Sequence, residues 1–501
     1  MAKPNEALLR SGLEGNIDKN LAALKKVLNA PLNRDVTLRP FDAAGAAACL
    51  VFMEGMAGRE TIEQHILRPC LSRKKALPEE GRAAFLRTRV LESVSAREAE
   101  LVSEVVEAVL SGETALLVDG DATALILDTR AYEKRAVGST QSESVVQGPQ
   151  EAFVENLRTN ITQVRRILRS EMLITEFTKV GRGLPTQVAM MYLKGVAKEE
   201  TVALARRRLA SLDVPKCPGS GQLQQLIEDH PCSVFPQMLQ TERPDRTASC
   251  LSDGQIALLV EGSPYALIAP VTLFHLIHAS DDTFMRWQYG TFLRAVRLIG
   301  AAVSLFLPAL YVAVTSYHTH MLPLNLLTSI AEARARVPLP VIAEVLFMEA
   351  SFYLLNEAGT RIPNQLGSAL GIVGALILGQ AAVEASLISP ILIIVVSLTG
   401  LGNYSIPDYG VSVGMQMLRL GFVALSAVWG LYGLCLGAWA LCAYLGFMRS
   451  FGEPYLAPVA PYFPHNADIL ARGPIRGQFG RLFLASRGSW LARSGERGGE
   501  R

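Results

Sequence analysis

Three carboxylates stand in stretches that are otherwise apolar: Glu344 and Glu349 in PLPVIAEVLFMEASFYLL (residues 338–355), and Glu384 at the joint of two apolar blocks running from Leu366 to Thr399. A carboxylate surrounded by hydrocarbon is costly to ionise without a counter-charge or water, so such groups are candidates for holding a cation, carrying a proton or pairing with a buried base. Gly374, Gly379 and Gln380 lie just ahead of Glu384 in GIVGALILGQAAVEASLISP. Small residues at this density let helices approach closely or line a narrow path, and Gln380 adds a polar group. These six residues form the candidate channel or coupling site. Glu384 keeps two readings, a charge in a pore or a turn residue at a membrane surface.

Positioning such groups takes membrane-spanning helices. A bilayer core of about 30 Å needs roughly 20 helical residues, and each block of Leu366–Thr399 reaches or approaches that length. The chain has 501 residues, of which 50% are hydrophobic, and the average hides a split. Up to about Trp287 it is charged and alternates like a globular protein, whereas Leu298 to Met448 is dominated by apolar runs. Four crossings fit, near 298–317, 366–383, 386–403 and 420–448, with 338–355 lying at the interface, re-entering or facing a water-filled path. Arg286, Arg294 and Arg297 before the first run, and the arginine-rich tail after the last, predict cytoplasmic N- and C-termini. On that count Glu384 falls at the cytoplasmic turn of a helical hairpin, facing the soluble half.

The soluble half repeats itself. VFMEGMAGRET (Val51 to Thr61) matches MYLKGVAKEET (Met191 to Thr201), and GETALLVDGDATALI (Gly112 to Ile126) matches GQIALLVEGSPYALI (Gly254 to Ile268), with Gly120 over Gly262 at an offset of 142. Strand, helix and hairpin signals recurring in one order predict a duplicated α/β unit. The fold expected is an α/β tandem-duplicated soluble N-terminal domain followed by an all-α polytopic membrane domain. Its divisions are 1–140 and 141–290 for the two subdomains, 291–450 for the transmembrane domain and 451–501 for a basic cytoplasmic tail. Residues 5–28 read as a surface helix, and the opening segment has no apolar core of a secretory signal.

Other clusters carry weaker chemistry. Residues 142–169 open with a turn at Gly148 and Pro149 and continue as a basic helix containing Arg158, whose charge is that of a solvated face before it is that of an anion site. SVFPQMLQTERPDR (residues 233–246) is punctuated by proline and rich in both charges, which predicts an irregular loop fixed by its own ion pairs or by a partner. Gly148, Pro149, Arg158, Glu242, Arg243, Asp245 and Arg246 are thus candidate assembly residues. Seven cysteines without a Cys-x-x-Cys pair read as reduced core thiols, and His318 with His320 reads as interfacial polarity before metal binding. GRGLPT (residues 181–186) lacks the Lys-Ser/Thr ending of a phosphate loop, and the chain carries no dinucleotide loop, zinc pattern or nucleophile elbow. No enzyme activity, cofactor or metal is expected, and a net charge of +2 without a basic aromatic stripe gives no case for nucleic acid.

Several long segments carry a family resemblance: SESVVQGPQEAFVENLRTN, FPQ with TERPDR, the EGSP turn at Glu261 to Pro264, PALYVAVTSYH, EAGTRIP, GIVGALILGQAAVEASLISP and SFGEPYLAP. Together they resemble the GerA family of spore germination proteins, over about residues 20–462. The resemblance implies an A subunit of a nutrient germinant receptor in the inner spore membrane, working with a transporter-like B subunit and a lipoprotein C subunit. It further implies a homo-oligomeric ring whose membrane helices form a cation channel in contact with lipid, while the B subunit binds the nutrient. SpoVAF-type accessory proteins of the same family, and an ion-coupled secondary transporter, are the alternatives.

Overall fold

The computed structural model describes residues 5–361, 379–462 and 472–474, except 74–76, 79–80, 92–94, 132–137, 139, 141–142, 144, 146 and 218. The first lobe is a five-stranded antiparallel sheet of β1 (Val36–Ala43), β2 (Ala46–Met53), β3 (Ala96–Ala99), β4 (Thr114–Val118) and β5 (Ala124–Leu127), in spatial order β1-β2-β4-β5-β3. The second has β6 (Leu173–Val180), β7 (Thr186–Leu193), β8 (Leu239–Thr241), β9 (Ile256–Val260) and β10 (Ala266–Ala269), in order β6-β7-β9-β10-β8. The two sheets are the same sheet built twice.

Alternation along the central strands explains the two layers of helices. In β2, Cys49, Val51 and Met53 face α1 (Ile17–Val27) and α3 (Val102–Leu110), whereas Ala48 and Leu50 face α2 (Arg82–Arg89) and the helical stretch at 59–72. The second lobe repeats this, with α4 (Leu157–Ile167) and α7 (Pro244–Ser252) on one face, and α5 (Glu199–Ser211) and α6 (Ser220–Ile227) on the other.

The duplication reaches single hydrogen bonds. Asn16 caps α1 by accepting from Asp18 N and Lys19 N, and Asn156 caps α4 by accepting from Arg158 N and Thr159 N. Each helix start is tied to a hairpin turn: Gly120 N donates to Gly15 O at 2.7 Å, and Gly262 N to Glu155 O at 2.8 Å. Both turn glycines have φ near +80° (84° and 79°), a conformation that costs a side chain and not a glycine.

A buried polar seam joins the lobes. Arg165, from α4, holds Asp35 Oδ2 at 2.8 Å through Nε and donates through Nη2 to Asn33 Oδ1 and Thr175 Oγ1, both at 2.9 Å. Arg158 adds ion pairs of 3.4 Å with Glu54 and 3.8 Å with Asp35, so it belongs to this seam.

Five further helices form a bundle: α8 (Trp287–Ser316), α9 (Val341–Arg361), α10 (Pro390–Tyr404), α11 (Tyr409–Trp429) and α12 (Leu431–Phe447). The single run expected at 420–448 is two helices. Gly430, at φ 57° and ψ −137°, ends α11, and Gly433 lets the next turn press against the Leu425 carbonyl. The segment at 338–355 lies mainly in a 21-residue helix, α9. By length and composition, α8 and α11 are the two helices among the described residues fit to cross a membrane, and α10 and α12 are shorter apolar helices.

The bundle grows out of the second lobe. The apolar cluster on the α4 and α7 face continues without a break into Ala301, Ile406, Val411, Met415, Leu445, Met448 and Tyr455. Gly414 lies against the Val234 carbonyl, and Tyr455 Oη donates to Pro236 O at 2.8 Å. Ser450 Oγ donates to Gln237 O at 2.7 Å and accepts from Val271 N at 2.9 Å. The segment 233–246, expected to be irregular throughout, contains β8 and then starts α7, where Pro244 takes the first-turn position that needs no donor.

Three of the expected core thiols, Cys232, Cys435 and Cys442, are exposed, whereas Cys49, Cys70, Cys217 and Cys250 are buried. Burial pushes the Cys250 thiol up to about 12, which keeps it protonated and inert.

Asp35 has no exposed side-chain surface, and removing Arg165 would strand its charge. Arg165→Met is expected to destabilise the chain by about 3–5 kcal/mol in denaturant unfolding, and Asp35→Asn/Arg165→Met together by less than the sum. Additive costs would contradict a coupled seam.

Candidate functional site

Helix directions fix which end of the bundle each polar group occupies. The lobe end is marked by Gly410 against Pro236 and by Met448 beside Ser233. There α8 begins, and Gly300 packs against Gly402 and Ser405 near the end of α10. The far end is marked by Tyr317, whose Oη donates to Ala427 O, and by Tyr311, whose Oη is 3.2 Å from Ser389 Oγ at the start of α10. Glu384 sits in a helical stretch at 379–384 just before this start. It is therefore at the end of the bundle away from the lobes, not at the turn facing them.

The expectation failed because Glu344 and Glu349 were taken to hold their segment out of the bundle. Each has its counter-charge from a distant part of the chain. Glu344 is fully buried, accepts from Ser389 N at 3.1 Å and faces Arg334 Nε at 3.7 Å. Glu349 Oε2 is 3.1 Å from Arg419 Nη2, with side chains 1% and 6% exposed. Further along α9, Tyr353 Oη donates to Gln416 O at 2.6 Å and Asn356 Oδ1 accepts from Tyr404 Oη at 2.7 Å. Helix α9 thus follows α10 from the far end to the lobe end.

Arg419 is the organising residue that the sequence reading missed. Pro308 sits inside α8 and has no N–H to offer the Ser304 carbonyl one turn back. Arg419 Nη1 approaches that carbonyl at 3.5 Å, and its Nη2 lies 3.5 Å from Tyr353 Oη. The signal was present in PALYVAVTSYH, since a proline inside an apolar helix frees a carbonyl that some donor must meet. Arg419 itself stands one residue ahead of the run expected to begin at Leu420.

The result is a polar chamber in the bundle. A cavity of about 10 Å³ is lined by Glu349, Tyr353, Asn356, Thr399, Asn403 and Arg419. That is room for about one water. Glu349 Oε1 and Arg419 Nε are buried beside it without a hydrogen-bond partner among the described residues. Below it Ser304 Oγ donates to Asn403 Oδ1 at 3.4 Å and Asn403 Nδ2 to Ser412 Oγ at 2.9 Å, extending the polar strip towards the lobe end. A chamber of this kind can hold one small polar species beside a neutralised carboxylate.

The remaining channel candidates do not join it. Gln380 and Glu384 are exposed, Gly379 makes ordinary contact with Ile393 at 3.7 Å, and Gly374 lies outside the described residues, as does most of 366–383.

The assembly candidates, apart from Arg158, converge on the linker between the lobes. Arg243 is fully buried and donates to Pro149 O at 2.9 Å, Asp245 Oδ2 at 2.8 Å and Glu143 O at 3.2 Å. Glu242 Oε1 accepts from Glu143 N at 2.8 Å, and Arg246 pairs with Glu143 Oε1 at 3.3 Å. Gly148 packs against the Phe284 ring, just before α8, leaving no room for a side chain. Glu143, unremarked in the sequence, is the hub of this clamp, and burial raises its carboxyl above the usual range against the pull of Arg246. Arg246 also donates to the carbonyls of His278 at 3.0 Å and His275 at 3.3 Å. Burial, with Arg246 and Arg294 nearby, holds the His275 imidazole down to about 4.

The family profile described as "Bacillus/Clostridium GerA spore germination protein" matches residues 22–482. The chain is 35% identical to "Uncharacterized membrane protein YfkQ" of Bacillus subtilis (strain 168), over 88% of this chain and 86% of that one. It is 34% identical to "Spore germination protein KA" of the same organism, over 92% and 85%. With "Spore germination protein A1", also from that organism, identity is 37% over 77% and 81%. Among solved structures, the N-terminal domain of the A subunit of the Bacillus megaterium spore germinant receptor GerK3 is similar at a TM-score of 0.40 and 28% identity, covering 52% of this chain and 97% of that one.

Two measurements test this geometry. Glu349→Ala is expected to cost about 3–5 kcal/mol of stability by stranding Arg419, and Glu384→Ala less than about 0.5 kcal/mol, read as thermal unfolding of the full chain in detergent. Equal costs would contradict the placement of the two carboxylates. His275 contributes stability fully present above its unfolded pKa of about 6.5 and lost as pH falls towards 4, so His275→Asn is expected to remove up to about 3 kcal/mol of the wild-type decline across that window. A variant with the wild-type pH profile would contradict a buried neutral imidazole.

Proposed function

The chain belongs to the GerA family of spore germination proteins, and from that premise we propose that it is the channel-forming A subunit of a nutrient germinant receptor. It works in the inner spore membrane with a transporter-like B subunit, which binds the nutrient, and a lipoprotein C subunit. Several copies assemble into a ring, and nutrient binding opens a path for monovalent cations through the helical bundle.

The observation that carries this reading is the polar chamber at Glu349 and Arg419, inside a bundle whose outer surface exposes Ile299, Ile394, Leu401, Val428 and Trp439. An apolar exterior over a charged interior is the inverse of a soluble domain and suits a helix bundle in lipid. Helices α8 and α11 run away from the lobes and α9, α10 and α12 return, which supports a multi-pass arrangement with lobes and tail on one side. That arrangement gives α9 a full crossing, in place of the interfacial or re-entrant segment expected from its charges. In the closed state Arg419 serves as a tethered cation that neutralises Glu349 and blocks the chamber.

Potassium flux tests the proposal. Liposomes holding the chain with its B and C partners are expected to release potassium when germinant is added, at a rate that does not saturate with the nutrient as a transported substrate would. No flux, or saturable nutrient uptake in its place, would contradict the channel and favour a scaffold or a transporter respectively.

A further inference from the structure

The two lobes differ at one duplicated position. In the first lobe the turn at Asp119, Gly120 and Asp121 is covered by the start of α2: Arg82 donates to Asp119 O through Nη1 and to Pro78 O through Nε at 3.1 Å, and Ala83 N donates to Asp121 Oδ2 at 2.8 Å. The Arg82 guanidinium occupies the space above Gly120, where a Cβ would meet it at 2.8 Å. In the second lobe the matching turn is Glu261, Gly262 and Ser263, and the matching helix is α6. Both helices have a glycine N-cap, Gly81 and Gly219, but Ser220 stands where Arg82 does. Ser220 bonds only as far as Ser263 Oγ, at 2.8 Å, and nothing lies within 4 Å above Gly262.

The place filled by a guanidinium in one lobe is an open cleft in the other, of about 620 Å³. Its walls carry the carboxylates of Glu155 and Glu261, with Asn156, Thr186 and Gln187, and Lys179 at the rim. Elsewhere in the chain arginines also meet groups of backbone carbonyls, as Arg472 does at Asp282, Thr283 and Met285. We propose that this cleft receives a guanidinium from the chain's own C-terminal segment, residues 475–501, which supplies in the second lobe what Arg82 supplies in the first.

Charge and reach both favour this occupant. The segment carries six arginines, Arg476, Arg481, Arg487, Arg493, Arg497 and Arg501, against Glu496 and Glu500. It leaves the described residues at Pro474, two residues after Arg472 is fixed at the start of α8. Gly148 touches Phe284 beside that start, and the stretch from Gly148 to Glu155 spans at most about 25 Å. A segment of this length covers such a distance with several arginines to spare. The docked tail would bridge the sensing lobe and the base of the first bundle helix, independently of whether the bundle conducts.

Amide hydrogen exchange on the full chain in neutral detergent tests it, with the first lobe as internal reference. The reporters are Gly262 N and Leu157 N, whose counterparts are Gly120 N and Ile17 N. Replacing the six tail arginines with glutamine is expected to speed exchange at Gly262 and Leu157 about tenfold and to leave Gly120 and Ile17 within about twofold. Arg82→Gln calibrates the effect by speeding exchange at Gly120. Glu155→Gln with Glu261→Gln is expected to reproduce the tail variant's effect. Unchanged exchange at Gly262 and Leu157 would overturn the proposal, as would parallel changes in both lobes. Protection that appears only with anionic lipid vesicles and ignores the Glu155 and Glu261 changes would assign the tail to the lipid surface, and overturns it too.

Discussion

An ionised carboxylate held away from water needs a counter-charge within a few ångströms, and in the helical bundle that requirement is met by Glu349 and Arg419 at 3.1 Å. The pair dictates more than its own contact. Glu349 comes from α9 and Arg419 from α11, and the guanidinium also reaches the Ser304 carbonyl of α8 that Pro308 leaves without a helix donor. Three helices are therefore registered against one another by a single arginine. Hydrocarbon packing alone sets no such register, since apolar faces slide with little penalty, whereas a displaced charge loses its partner outright.

The bundle is tied to the second lobe by continuous packing. The apolar cluster under α4 and α7 includes Val411, Met415, Leu445 and Tyr455, so the lobe has no separate floor. The clamp around Glu143 fixes the interlobe linker to Arg243 and Arg246, and Arg246 in turn holds the carbonyls before α8. A rearrangement between the lobes across the Asp35 and Arg165 seam has a packed route to the start of α8 and the lobe end of α11. Such coupling needs an element with two arrangements, and a buried ion pair with unpartnered atoms on both sides is suited to be one.

Much of the lobes was legible in the sequence, because duplication writes the same physical demands twice. Gly120 and Gly262 stand out as one residue type at one offset since both turns need positive φ. The central strands were legible by their apolar runs. The outer strands β1, β3, β6 and β8 were not, because an edge strand keeps one side polar, as in VTLRPFDA, and reads as loop. The paired asparagine caps at 16 and 156 were visible in GNIDKN and ENLRTN but too short to stand out without the structure. The bundle was harder for a specific reason. Whether Glu344 and Glu349 can lie among helices depends on Arg334 and Arg419, which no local pattern connects to them, and misplacing α9 reversed the assigned position of Glu384. The break at Gly430 was likewise hidden inside an apolar run, where one glycine among several carries no distinguishing mark.

The central claim is that Glu349 and Arg419 form one closed unit in the cation path. Potassium leak in liposomes without germinant measures it most directly, for Glu349→Arg, Arg419→Glu and the reversed pair carrying both. Each single change is expected to leak, since like charges then face one another, and the reversed pair to return towards the wild-type closed state. Tight single variants, or a reversed pair that leaks as much as the two singles combined, would contradict it.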